Sequence, residues 1–160
     1  MRARLRPAGR GDRGIRRCAE AFAAIAPDRN HFGLEDTQLV CLAMADGRSS
    51  FYRKSPIGAV RAFRAGLSGR PEARLVVKVR NLGEQPEFRQ ALLDAAGGDR
   101  RIIILDEDLS EDDQQQLLAC TDIFISLHRS EGFGLPIAEA MAAGKAVVAT
   151  GGSGAADFME

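Results

Sequence analysis

No apolar run in the 160 residues approaches the roughly 20 needed to span a bilayer; stretches such as Ile102–Leu105 fall far short. Cysteine is scarce and odd in number. Cys18, Cys41 and Cys120 are widely spaced and form no C-x-x-C pair, which argues against a disulfide framework or a zinc site. Reduced thiols and a cytoplasmic location are the expectation. Net charge is also lacking: 22 basic residues balance 22 acidic ones, so the whole chain is no polyelectrolyte binder of nucleic acid. Internal repeats and low-complexity segments are missing from the regular part of the chain. What is present is ordinary globular composition: 45% hydrophobic and 28% charged residues argue against wholesale disorder. The length suits one α/β domain and is too short for two.

The charge balance hides an asymmetry. Residues 1–17 hold seven arginines against one aspartate, leaving 15 basic and 21 acidic residues for the remainder. An arginine-rich start can mark a transit peptide or a nucleic-acid arm. Pro7, three early glycines and the lack of apolar periodicity favour a solvated, disordered tail over residues 1–28, with the domain occupying 29–160.

From Thr37 the pattern becomes regular. Thr37–Ala45 reads as a buried strand ending at Asp46-Gly47, and Pro56–Ser68 as a helix that opens on proline. Arg74–Val79 is a second strand, Pro86–Ala96 a helix stopped by Gly97-Gly98, and Arg101–Leu105 a third strand. Ser110 is placed to cap a helix running to about Cys120, with acids in its first turn. Asp122–Leu127, the helix Leu135–Ala143 and the strand Lys145–Thr150 complete the series. Strands alternating with helices, and apolar throughout, predict an α/β, Rossmann-like, doubly wound parallel sheet.

In the order 3-2-1-4-5, ligands bind beyond the carboxyl ends of strands one and four, where the winding reverses. Two loops occupy that place: Asp46–Lys54 and His128–Gly134. In the second, Gly132 and Gly134 flank Phe133 and allow close backbone approach to a ligand. Leu135-Pro136 then opens a helix whose first amides suit an anion such as phosphate. Glu131 and Glu139 are poor phosphate ligands but good acceptors for sugar hydroxyls, so the pair suits a sugar on either side of a diphosphate. Dipole stabilisation of the helix start would by itself also account for a glutamate there. In the first loop, Arg48, Arg53 and Lys54 bring positive charge to the proposed diphosphate, where fixed cations lower the barrier to departure of an anionic leaving group. A solvated basic loop is the plain alternative; location at the switch point favours function.

The run Glu131-Gly132-Phe133-Gly134-Leu135, then Glu139-Ala140-Met141-Ala142 and Gly144-Lys145, resembles the E-x7-E signature of the family 4 (group 1) retaining glycosyltransferases. The likeness extends over roughly residues 29–159, including Arg53-Lys54-Ser55-Pro56, Leu127-His128-Arg129-Ser130, Ser153-Gly154 and Asp157-Phe158. It implies the C-terminal, donor-binding half of a GT-B fold, in which two Rossmann-like domains face each other across a cleft. By resemblance, Glu139 holds the nucleotide ribose, and Glu131 sits by the donor sugar near the anomeric centre. Backbone amides of Phe133, Gly134 and Leu135 contact sugar and diphosphate. The family's Arg and Lys pair maps onto Arg48 and Lys54, with Arg53 a substitute for Arg48.

The implied reaction is retaining transfer of a hexose from a nucleoside-diphosphate sugar to an alcohol. No metal and no cofactor beyond the donor are implied. The acceptor belongs mainly to a second, N-terminal domain, for which about 36 residues before the first strand leave no room. The expectation is thus a partial domain, incomplete at both ends and inactive alone. A non-catalytic nucleotide-sugar-binding module is the alternative. A receiver-like signalling domain fits less well, because Asp46 stands alone among basic neighbours. Asp106-Glu107-Asp108 reads as a solvated turn, His128 equally as a ligand contact or a structural loop residue, and Lys78 and Asp122 remain unassigned.

Overall fold

The computed structural model describes residues 19–47, 51–152, 154 and 159. Five strands form its framework: β1 (Leu39–Asp46), β2 (Ala73–Arg80), β3 (Ile102–Asp106), β4 (Ile123–Ser126) and β5 (Ala146–Ala149). All pair in parallel, in the order β3-β2-β1-β4-β5. The α-helices that follow its first strand among the described residues are α1 (Phe51–Lys54), α2 (Pro56–Gly66), α3 (Pro86–Ala96), α4 (Glu111–Ala119) and α5 (Leu135–Ala142). The expected order of elements and the expected winding are both present.

The two-residue alternation of the strands splits the core into two layers. Cys41, Ala43 and Ala45 of β1, with Leu75, Val77 and Val79 of β2, pack against Ala59, Val60 and Phe63 of α2 and Leu92 of α3. Val40 and Leu42, with Val76 and Phe124, face the opposite layer, where Leu117 and Leu118 of α4 and Ile137 and Ala140 of α5 lie. Burying each large apolar side chain contributes about 1.5–3 kcal/mol. A parallel sheet covered on both faces has strands that are apolar at nearly every position.

Local signals set the helix ends. Ser110 Oγ accepts the Asp113 amide at 3.0 Å, a cap worth about 1 kcal/mol. Gly97, at φ +59°, closes α3 in the left-handed conformation that glycine adopts without strain. The segment expected as a plain loop, Asp46–Lys54, differs from expectation: its second half is the helical turn α1. The cause is tertiary. Phe51 is buried and its ring stacks on Phe88 with centroids 3.7 Å apart, which pins that turn to the α3 side of the sheet.

The ladder between β1 and β4 pairs only Cys41 with Ile123 and Leu42 with Phe124, whereas β1 pairs with β2 as far as Asp46. The two central strands therefore part toward their carboxyl ends, and the crevice opens between them. The chain segment before β1 is clamped to β4 from below: Arg29 forks onto both Asp122 oxygens at 2.9 Å, and Asp122 accepts the Val40 amide at 2.8 Å. Among the described residues no helix is long and apolar enough to cross a membrane.

Candidate functional site

The crevice is built from α1 on one side and the segment after β4 on the other. Because α1 ends at the carboxyl end of β1, its last turn presents Arg53 and Lys54. Ser55 follows at φ +50°, a left-handed conformation that a serine adopts at some cost and that turns the chain sharply into α2. Gly58 keeps this bend open, since a Cβ there would lie 2.5 Å from Ser55 Oγ.

Across the crevice, Lys54 Nζ donates to Glu131 Oε2, and Arg53 Nη1 lies 3.5 Å from Glu131 Oε1. Arg53 also donates to the Ser130 carbonyl at 2.9 Å, and the Arg129 amide donates to the Arg53 carbonyl at 2.8 Å. On the outer rim, the Arg129 guanidinium stacks 3.8 Å from the Tyr52 ring centre and donates to its hydroxyl. The basic segment and the glutamate turn are thus one unit. Burial raises the Glu131 pKa, but the hydrogen bond and charge of Lys54, helped by Arg53, outweigh it and hold the carboxyl below its ordinary range.

The turn itself is tightly made. Gly134, at φ +80°, precedes α5 and its carbonyl accepts the Ile137 amide at 2.9 Å. Phe133 and Leu135 stand exposed at the crevice mouth. The loop after β5 returns to the same place: the Gly154 amide donates to the Glu131 carbonyl at 3.2 Å, and a Cβ on Gly154 would sit 1.5 Å from the Gly132 oxygen. Gly154 therefore lies directly against the turn that carries Glu131. Arg48, Ser153, Asp157 and Phe158 lie outside the described residues.

Glu139 occupies a different environment from Glu131. It lines a pocket of about 110 Å³ with apolar walls from Phe22, Met44 and Leu118 and a polar rim that includes Glu111 and Gln114. Burial, with the Glu111 charge behind it, pushes the Glu139 pKa up. Its carboxylate has no hydrogen-bond partner among the described residues, so it stands ready to accept from a hydroxyl. His128 is buried; Nδ1 lies 3.2 Å from both Ser126 Oγ and Ser126 O, and Nε2 lies 3.4 Å from the Gly152 carbonyl. These bonds tie the ends of β4 and β5 together, a structural role. The acidic turn after β3 is tied back as well: Asp106 accepts the Leu82 amide, and Asp108 pairs with Arg80 at 2.8 Å. Among the described residues no group of three His, Cys, Asp or Glu side chains is placed to hold a metal ion.

Sequence reasoning missed three features here. Glu111 was visible only as a helix-start acid. The Tyr52–Arg129 stack joins two loops far apart in sequence. Lys78 lies in β2 between Val77 and Val79, and that placement was the available signal.

A doubly wound parallel sheet with a cationic crevice at its switch point, leading to a glycine-flanked helix start, is a Rossmann-like architecture with its crevice in the position where such folds bind ligands. Residues 42–160 match the glycosyl transferases group 1 family, and the chain belongs to that family. No curated protein sequence matches it significantly. Among solved structures it is similar to a UDP-forming α,α-trehalose-phosphate synthase from Burkholderia xenovorans, at 19% identity and TM-score 0.67, over 90% of this chain and 36% of that one. It is similar to the C-terminal domain of the group 1 protein LpcC from Francisella tularensis, at 24% identity and TM-score 0.63, over 83% of this chain and 69% of that domain. A third is Anabaena HepE in complex with UDP and glucose, at 24% identity and TM-score 0.62, over 82% of this chain and 34% of that one. The chain thus spans about a third of the synthase and of HepE, and at these identities the likeness shows the fold.

Proposed function

We propose that this chain forms the donor-binding half of a retaining glycosyltransferase, which moves a hexose from a nucleoside-diphosphate sugar to an alcohol. The observation that carries this reading is the meeting of Lys54 and Arg53 with Glu131 at the switch point, directly before α5. In the reaction the bond from the anomeric carbon to the diphosphate oxygen breaks, a bond to the acceptor oxygen forms, and the acceptor proton leaves with the diphosphate. Negative charge grows on the departing diphosphate. Lys54, Arg53 and, by family resemblance, Arg48 stabilise it, together with the amides of Phe133, Gly134 and Leu135. Donor binding draws Lys54 toward phosphate and frees Glu131 to accept from a sugar hydroxyl near the anomeric centre. Glu139 accepts from the ribose.

The acceptor is held mainly by a second domain, and this portion alone does not turn over. No cofactor or metal is required in this reading, since cations and amides meet the diphosphate charge. Free buried thiols at Cys41 and Cys120 support a reducing, cytoplasmic setting.

Titration calorimetry with UDP, GDP, CDP and ADP tests the proposal. At least one binds, and Glu139→Ala and Lys54→Ala each weaken it about tenfold, the loss of one hydrogen bond to a charged group. A folded protein that binds none of the four overturns the reading.

A further inference from the structure

Lys78 is 1% exposed, yet it makes no hydrogen bond or ion pair among the described residues. A buried ammonium without a partner is costly, and each such group in a folded protein calls for a physical explanation, of which an acceptor brought by a ligand is one. Its neighbours do not resolve the cost. Burial and the nearby Arg80 charge push its pKa down, and Asp108 and Asp46 offset this only in part. Arg80 spends its Nη2 on Asp108 at 2.8 Å and leaves its own Nε enclosed and unbonded. Among the described residues Arg80 Nε is the single fully enclosed side-chain nitrogen without a partner. Lys78 Nζ, also unbonded, therefore keeps a small opening.

Sheet register says where it opens. Lys78 is two positions beyond Val76, which belongs to the α4–α5 layer, so it shares that face. Its Cα partners are Met44 in β1 and Leu105 in β3. Met44 is a wall of the pocket that holds Glu139, and neighbouring strands are about 4.8 Å apart. Toward the carboxyl end of the sheet the order is thus the start of α5 with Glu139, then Met44 of β1, then Lys78 of β2, which is enclosed and is not itself a wall of that pocket. With diphosphate at α5 and ribose at Glu139, as in the donor reading above on which this inference rests, the base extends past Met44 to Lys78.

Lysine has three donors and no acceptor. It can satisfy the keto oxygen of uracil or guanine, and it opposes the amino group that cytosine or adenine carries at the same edge. We propose that Lys78 reads the donor's base, donating from Nζ to a keto oxygen and selecting uridine or guanosine diphosphate sugars over their amino counterparts.

The experiment is calorimetry with the pairs UDP/CDP and inosine diphosphate/ADP, whose members exchange a keto for an amino group at that edge, on the wild-type chain and on Lys78→Met, which keeps an unbranched stem and removes the donor. The wild type prefers the keto member of whichever pair fits the pocket by about tenfold or more, since a site built around a hydrogen bond rejects the analogue that lacks it. Lys78→Met loses that preference while still binding the amino member. A wild type without the preference overturns the inference and needs no variant. So does a Lys78→Met that retains the preference, or one that keeps its circular dichroism spectrum but loses both members equally. Binding of some diphosphate with no keto preference leaves the donor reading standing; binding of none removes both.

Discussion

Lys54 and Glu131, 77 positions apart in the chain, are joined by a hydrogen-bonded ion pair that closes the crevice between β1 and β4. The pair is largely shielded, with 16% and 11% of the two side chains exposed, so removal of one partner leaves a charge with incomplete compensation.

Lys54→Met is expected to destabilise the protein by about 1–2 kcal/mol at neutral pH, the cost of leaving a partly buried carboxylate short of one partner. The effect depends on pH with a definite sign. The folded pKa of Glu131 lies below its ordinary value of 4.5, so the pair's contribution is complete above that value and is lost as pH falls through the folded pKa. Urea denaturation of both proteins at neutral pH and in acid checks this. An equal difference at both pH values would contradict it.

Glu139 behaves in the opposite way. Its folded pKa is raised by burial and by Glu111, so the folded state holds the proton longer than the unfolded chain, and stability falls as pH rises through that window. Glu139→Gln is therefore expected to raise the melting temperature at neutral pH by a few degrees, equivalent to under about 1 kcal/mol, while weakening nucleoside diphosphate binding. Thermal melts with and without nucleotide read both effects. A variant that melts lower without ligand contradicts the electrostatic account.

Arg29 and Asp122 form the clamp at the amino ends of the strands, away from the crevice. Arg29 also donates to the Gln38 carbonyl at 2.8 Å, so Arg29→Ala frees a backbone carbonyl as well as Asp122. The expected loss is about 1–3 kcal/mol in urea denaturation. Nucleotide affinity, measured on the folded variant, is expected to stay within twofold or so, because sites this far apart contribute additively. Comparable losses in both would place the clamp in communication with the site.

Much of the architecture was legible along the chain. The β1 and β2 runs, the proline starts of α2 and α3, the Ser110 cap and the Gly97 stop are local features whose meaning depends on neighbours a few residues away. Winding followed from their order, because parallel strands need covered crossovers and those crossovers have one hand. The meeting of the Arg53-Lys54 segment with Glu131 could be anticipated because both lie at the switch point. Their direct contact could not. The helical turn α1 was missed since its cause, Phe51 stacked on Phe88, joins segments 37 positions apart in number and leaves no local signal.

The sequence by itself determined the order of elements and the winding of the sheet, both of which rest on local periodicity and steric preference. Only the tertiary structure decided that Glu131 is held ionised by Lys54 while Glu139 is pushed toward its proton, and that Lys78 is buried next to Met44 in the sheet without a hydrogen-bond partner among the described residues. Charge state and burial depend on what surrounds a side chain in space, and strand register, not sequence spacing, sets those surroundings.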